Sequence, residues 1–139
     1  MGSERRDDAG QVLLAYLADH AAALRRQDVS LRAGETGSVH QLRIAARRLR
    51  SALRSYGPLF QPASTDRIGD DLRWLGQSLS AARDAQVLRA HLPELVAAEP
   101  PELVLGPVMS RIDDELRTAE RTGREQALQA LDSERYLRL

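Results

Sequence analysis

Arg43, Arg47, Arg50 and Arg54, with His40 ahead of them, are the side chains whose types and spacing promise chemistry. That chemistry is the binding of an anion: a planar guanidinium holds phosphate oxygens through paired, charge-assisted hydrogen bonds. At 100° per residue, the period of an ideal α-helix, the five fall within a sector roughly 80° wide and form one stripe. Neighbouring arginines three or four residues apart repel one another, at about 0.2–0.5 kcal/mol per pair. No acid lies between Thr36 and Thr65 to offset that repulsion. A polyanion lying along the stripe would meet contact points over about 21 Å, fourteen residues at roughly 1.5 Å each, which suits a polymer better than one small ligand.

The element that positions the stripe is a predicted helix over Ser38–Tyr56. Beside the arginines, Leu42, Ala45, Ala46, Leu49, Ala52 and Leu53 make an apolar sector as wide as a core-facing helix shows. Ser38 with Gln41 three residues on reads as a capping box, which places His40 in the first turn near the free N–H groups and the positive dipole end. Tyr56-Gly57-Pro58 ends the helix. Arg48 falls outside the stripe.

Around it, Val12, Leu13, Tyr16, Leu17, Ala21 and Leu24 predict a first amphipathic helix over Ala9–Arg26, followed by a linker near Asp28–Gly37. Ser64 or Thr65 caps a third helix running to about Leu92, just before Pro93. It carries Ile68, Leu72, Leu75, Leu79 and Ala82 on one face, with Arg73, Ser80 and Arg83 on another. Pro100-Pro101 opens a fourth helix, which Gly123 interrupts as a weak point. Asp132-Ser133 then caps a short fifth helix over Glu134–Leu139. No strand-like alternation occurs, so the expected class is all-α, an antiparallel four-helix bundle over 9–139 behind a disordered N-terminus at 1–8.

The chain has 139 residues, enough for one domain, and no cysteine, which removes disulfides and thiolate metal sites. No stretch is long and apolar enough for a membrane span, and the N-terminus has no apolar signal region, so a cytoplasmic protein with no membrane partner is expected. Formal net charge is zero. The acid-free Thr36–Thr65 stretch nevertheless holds five arginines, and the remainder is correspondingly acidic. With one Phe, one Trp and three Tyr, the chain lacks the aromatic platforms on which single-stranded nucleic-acid binders stack bases. His20 and His91 stand on other helices without a ligand-type pair, so no metal is expected. The adjacent pairs Asp70-Asp71 and Asp113-Asp114 point about 100° apart on a helix and do not converge for acid–base work. Asp113 with Arg117 reads instead as an i,i+4 ion pair. Arg117, Arg121 and Arg124 are expected on a salt-bridged, solvated face. No catalytic constellation and no cofactor motif is found.

Val39 to Arg54, VHQLRIAARRLRSALR, resembles the first signature helix of the CHAD family, the conserved histidine α-helical domain. Leu72-Arg73-Trp74-Leu75 and Ala82-Arg83-Asp84-Ala85-Gln86-Val87-Leu88 look like its second signature, and Leu131-Asp132-Ser133-Glu134-Arg135-Tyr136 resembles its mid-domain segment. The resemblance implies an all-helical fold that binds inorganic polyphosphate in a basic channel. It assigns phosphate contacts to His40, Arg43, Arg47, Arg50 and Arg54, supported by Arg73 and Arg83. It also implies that this chain corresponds to the first half of a two-halved domain. The second basic helix must then come from further chain or from self-association of two copies, or binding is weaker.

The leading expectation is therefore a non-enzymatic polyphosphate-binding module. An RNA- or DNA-backbone binder, a phosphohydrolase with His40 as general acid, and an assembly surface stand as alternatives.

Overall fold

In the computed structural model, the backbone of residues 2–139 and the side chains of residues 8–139 are described. The disordered tail expected at 1–8 therefore falls almost wholly outside the described side chains. Among the described residues six α-helices follow one another: α1 (Gly2–Arg32), α2 (Ser38–Tyr56), α3 (Pro62–Ser78), α4 (Ser80–Ala97), α5 (Val108–Leu131) and α6 (Glu134–Leu137). No strand occurs among the described residues. The main packing contacts are α1 on α2, α2 on α3, and α4 on α5. Because α4 prolongs α3, four long rods result, and the expected four-helix architecture stands.

The first helix outruns its expected end at Arg26 and consumes half of the expected linker. Leu31, seven residues after the buried Leu24, keeps the helical period going and is itself buried. What stops α1 is Gly34, at φ 78°. Its N–H donates to the Leu31 carbonyl and the Glu35 N–H donates to that of Ser30, the paired reverse bonds of a Schellman ending.

The cap of α2 also differs from expectation. Gly37, at φ 81°, is the N-cap, and Ser38 already lies inside the helix. The buried Ser38 hydroxyl donates to the Glu35 carbonyl at 2.8 Å, so the capping box with Gln41 is not formed. His40 still sits in the first turn. The apolar sector of α2 is as predicted: Leu42, Ala45, Ala46 and Ala52 are buried, and Leu49 and Leu53 pack against the core. Leu42, Leu75, Leu79 and Leu131 have no appreciable exposure. Each contributes about 1.5–3 kcal/mol by leaving water.

The predicted third helix is broken at Leu79. That residue keeps right-handed helical dihedrals (φ −89°, ψ −8°), so the chain bends there and does not reverse. Ser78 donates to the Trp74 carbonyl at 3.0 Å and Ser80 to that of Gly76 at 3.1 Å. Such hydroxyl back-bonds to the preceding turn bend helices. Beyond the bend α4 runs through Pro93 to Ala97, past its expected end. The prolines at 100 and 101 open only a 3-10 turn over Pro101–Leu103, and α5 begins at Val108.

Gly123, expected as a weak point, lies buried in an unbroken α5. A Cβ placed there would sit 2.5 Å from the Ala82 backbone nitrogen and 2.6 Å from its Cα. The glycine is therefore what lets α5 cross so closely over the start of α4. Ser133 caps α6 as predicted, its hydroxyl accepting from the Tyr136 N–H at 3.3 Å.

Candidate functional site

The stripe on α2 faces the α3–α4 bend across an open groove of about 440 Å³. His40, Arg43, Arg47 and Arg50 line it from α2, Arg73 and Gln77 from α3, and Ser80 and Arg83 from α4. The bend is what makes this possible, since it carries Ser80 and Arg83 round the N-terminal end of α2 while α3 stays packed along its length. Six of the seven residues named from the sequence share this groove. The seventh, Arg54, lies in the adjoining groove, which Arg50 and Arg73 also reach and which Asp66 and Asp70 line from α3.

Electrostatically the groove is one-signed. Its lining contains five arginines and a histidine and no acid. Among the described residues none of Arg43, Arg47, Arg50, Arg54, Arg73 and Arg83 lies within salt-bridge distance of a carboxylate. Arg47, Arg50 and Arg73 are exposed, while His40, Arg43 and Arg83 are half-buried. Half-buried guanidiniums with unspent donors bind anions more strongly than fully solvated ones, because the surrounding dielectric is lower.

Several arginines elsewhere are engaged. Arg89 reaches Asp113 at 3.2 Å and Glu120 at 2.8 Å, and Arg117 reaches Asp113 at 2.6 Å. The Arg117 guanidinium, then Arg89, hold the Asp113 carboxyl below its usual range. Arg32 joins Asp28 and Asp132, each at 2.6 Å. Arg135 donates to the buried Asp71 at 2.7 Å while its guanidinium lies 4.8 Å from the centre of the Trp74 ring. Asp70 and Asp71 thus part company, as their spacing required. Arg124, expected on a salt-bridged face, instead donates to the Leu31 carbonyl at 2.8 Å and so covers the negative end of α1. Only its tertiary setting reveals that role. Arg121 and Arg48 are exposed and line neither of these grooves. His20 stacks edge-on against Tyr16, with ring centres 4.3 Å apart.

A larger groove of about 1280 Å³ runs between the start of α1 and the end of α2, lined by Val12, Leu13, Tyr16, Ala52, Tyr56 and Leu59 among others. It is predominantly apolar and carries none of the basic stripe. Charge, and not size, therefore sets the basic groove apart. Among the described residues no helix is long and apolar enough to cross a membrane.

An all-helical module with an unpaired basic stripe on its second helix is the class that fold and groove define. The family model for the CHAD domain matches residues 15–139, and this chain belongs to that family, known in general terms for binding polyphosphate. Two Mycobacterium tuberculosis proteins are similar to it: uncharacterized protein MT2285 of strain CDC 1551 / Oshkosh and uncharacterized protein Rv2226 of strain ATCC 25618 / H37Rv. Each is 38% identical over 112 residues, covering 81% of this chain and 22% of the relative. The chain thus spans about a fifth of the length of these curated relatives. No solved structure matches it.

Proposed function

We propose that this chain binds inorganic polyphosphate along the groove between α2 and the α3–α4 bend, without turning it over. The observation that carries the reading is the gathering of His40, Arg43, Arg47, Arg50, Arg73 and Arg83 into one groove free of acids. Unpaired guanidiniums supply charge-assisted hydrogen bonds, each worth about 1.5–3 kcal/mol when the partner is ionised. On this reading the phosphate chain is held and not cleaved. Arg54 belongs to the ligand contacts only at the far end. The cytoplasmic location belongs to the same reading, as does self-association of two copies to complete a channel.

Calorimetric titration with long-chain polyphosphate tests it. Arg43→Ala/Arg47→Ala/Arg50→Ala is expected to lose about 1,000-fold or more in affinity, from three contacts of the size just given. Binding as tight as wild type would remove the groove from consideration. The stoichiometry in the same titration separates one chain per site from two. Phosphate release that vanishes in His40→Ala while binding survives would replace this reading with a hydrolytic one. RNA that polyphosphate fails to displace at equal phosphate concentration would favour a nucleic-acid ligand.

A further inference from the structure

The groove is electrostatically closed at both ends. Beyond Arg50 and Arg73 the trough continues past Arg54, but there Asp66 and Asp70 line the opposite wall. Beyond Arg83, around the start of α2, it continues into a cleft of about 430 Å³ lined by Glu35 and Glu120. Apart from Arg83, which the cleft shares with the groove, its cations are already used, Arg89 by Asp113 and Glu120, and Arg124 by the end of α1. Between the two acidic ends lies the acid-free stretch from His40 to Arg50, about 15 Å by the helical rise.

From this we infer that the module reads a fixed, short footprint of phosphates: Glu35, Asp66 and Asp70 end the contact on either side, and longer chains leave the surface there. This rests on the polyphosphate reading and narrows it. A phosphate passing Arg54 also passes two carboxylates, whose repulsion within a Debye length of about 8–10 Å offsets the attraction of that one guanidinium. The bound length is thereby set by charge, since no wall blocks the trough. Binding is indifferent to chain length only once a chain exceeds the footprint.

The number of phosphates neutralised is read from the slope of log affinity against log salt, which is independent of how many overlapping registers a long chain offers. Glu35, Asp66 and Asp70 are exposed, and their carboxylates make no ion pair or hydrogen bond among the described residues, so Glu35→Gln/Asp66→Asn/Asp70→Asn keeps the fold. Wild type is expected to give the same slope with an oligophosphate of about the groove's length as with long-chain polyphosphate. The triple variant is expected to give a steeper slope with the long chain alone, and about two- to five-fold tighter binding to it, the range of an exposed charge contact. A wild-type slope that is already steeper with the long chain, and that the variant does not change, overturns the footprint and leaves polyphosphate binding intact. No binding at any length in wild type overturns both.

Discussion

Tyr136 shows how much of this molecule depends on single side chains outside the groove. Its hydroxyl donates to Asp28 at 3.1 Å, tying α6 to α1. Burial above all, and then the Asp28 carboxylate, push its pKa well above the ordinary tyrosine value. A group whose folded pKa is raised contributes stability that is fully present below the unfolded value, near about 10, and is lost as pH rises toward the folded one. Wild type is therefore expected to exceed Tyr136→Phe in stability at neutral pH. The gap should narrow above pH of about 10, by less than the ~1.4 kcal/mol per pH unit of a fully shielded group. Urea titrations of both proteins across that range check it; a gap that widens with pH refutes the assignment. At this scale the sequence was legible where period alone decides. His40, Arg43, Arg47 and Arg50 fell on one stripe and line one groove. It was not legible where a partner distant in sequence decides, as with Arg124 on the carbonyls ending α1, or Asp66 and Asp70 opposite Arg54.

At the scale of elements, the crossing of α4 and α5 is the most demanding contact. Gly123→Ala would place a methyl against Ala82 backbone atoms, which cannot swing aside as a flexible side chain would. A loss of about 1–3 kcal/mol or more is expected, read as a lower urea midpoint. A midpoint unchanged from wild type would mean the two helices are not held this closely. In sequence Gly123 reads as an interruption, because glycine weakens an isolated helix; the crossing that requires it is visible only once α4 is in place. The bend at Leu79 escaped for a related reason. Leu72, Leu75, Leu79 and Ala82 keep one apolar face throughout, so the periodicity runs on unbroken while the local back-bonds of Ser78 and Ser80 turn the axis. At the start of α2 two neighbouring residues, Gly37 and Ser38, both suit a cap, and the left-handed backbone at Gly37 decided between them.

Over the whole molecule, a net charge of zero conceals a division of labour. Away from the groove Arg32, Arg67, Arg89, Arg117, Arg124, Arg135 and Arg138 meet carboxylates or carbonyls; among the described residues none of the groove's five arginines does. Polyphosphate affinity should consequently fall about 100-fold between roughly 50 and 200 mM salt, the counterion release expected for about five neutralised phosphates on a single strand. Titrations at several salt concentrations measure this directly, and a nearly flat response would mean that the guanidiniums do not carry the binding. The all-helical class and the order of the long rods were open to reading from hydrophobic period. Which arginines stay unspent was not, because pairing depends on what the fold brings alongside.

Formed by one copy of this chain, the trough is a gutter: it lies open along its length, with Arg47, Arg50 and Arg73 facing solvent. Until a second half covers it, a polymer needs no free end to enter it, and lies down sideways at any internal segment. Every stretch of a long chain is then an equivalent landing place, so capture speeds up in proportion to chain length even while the strength of each contact stays the same. Chains whose ends are blocked or occupied by another protein remain accessible, and several such modules can decorate one polymer at once.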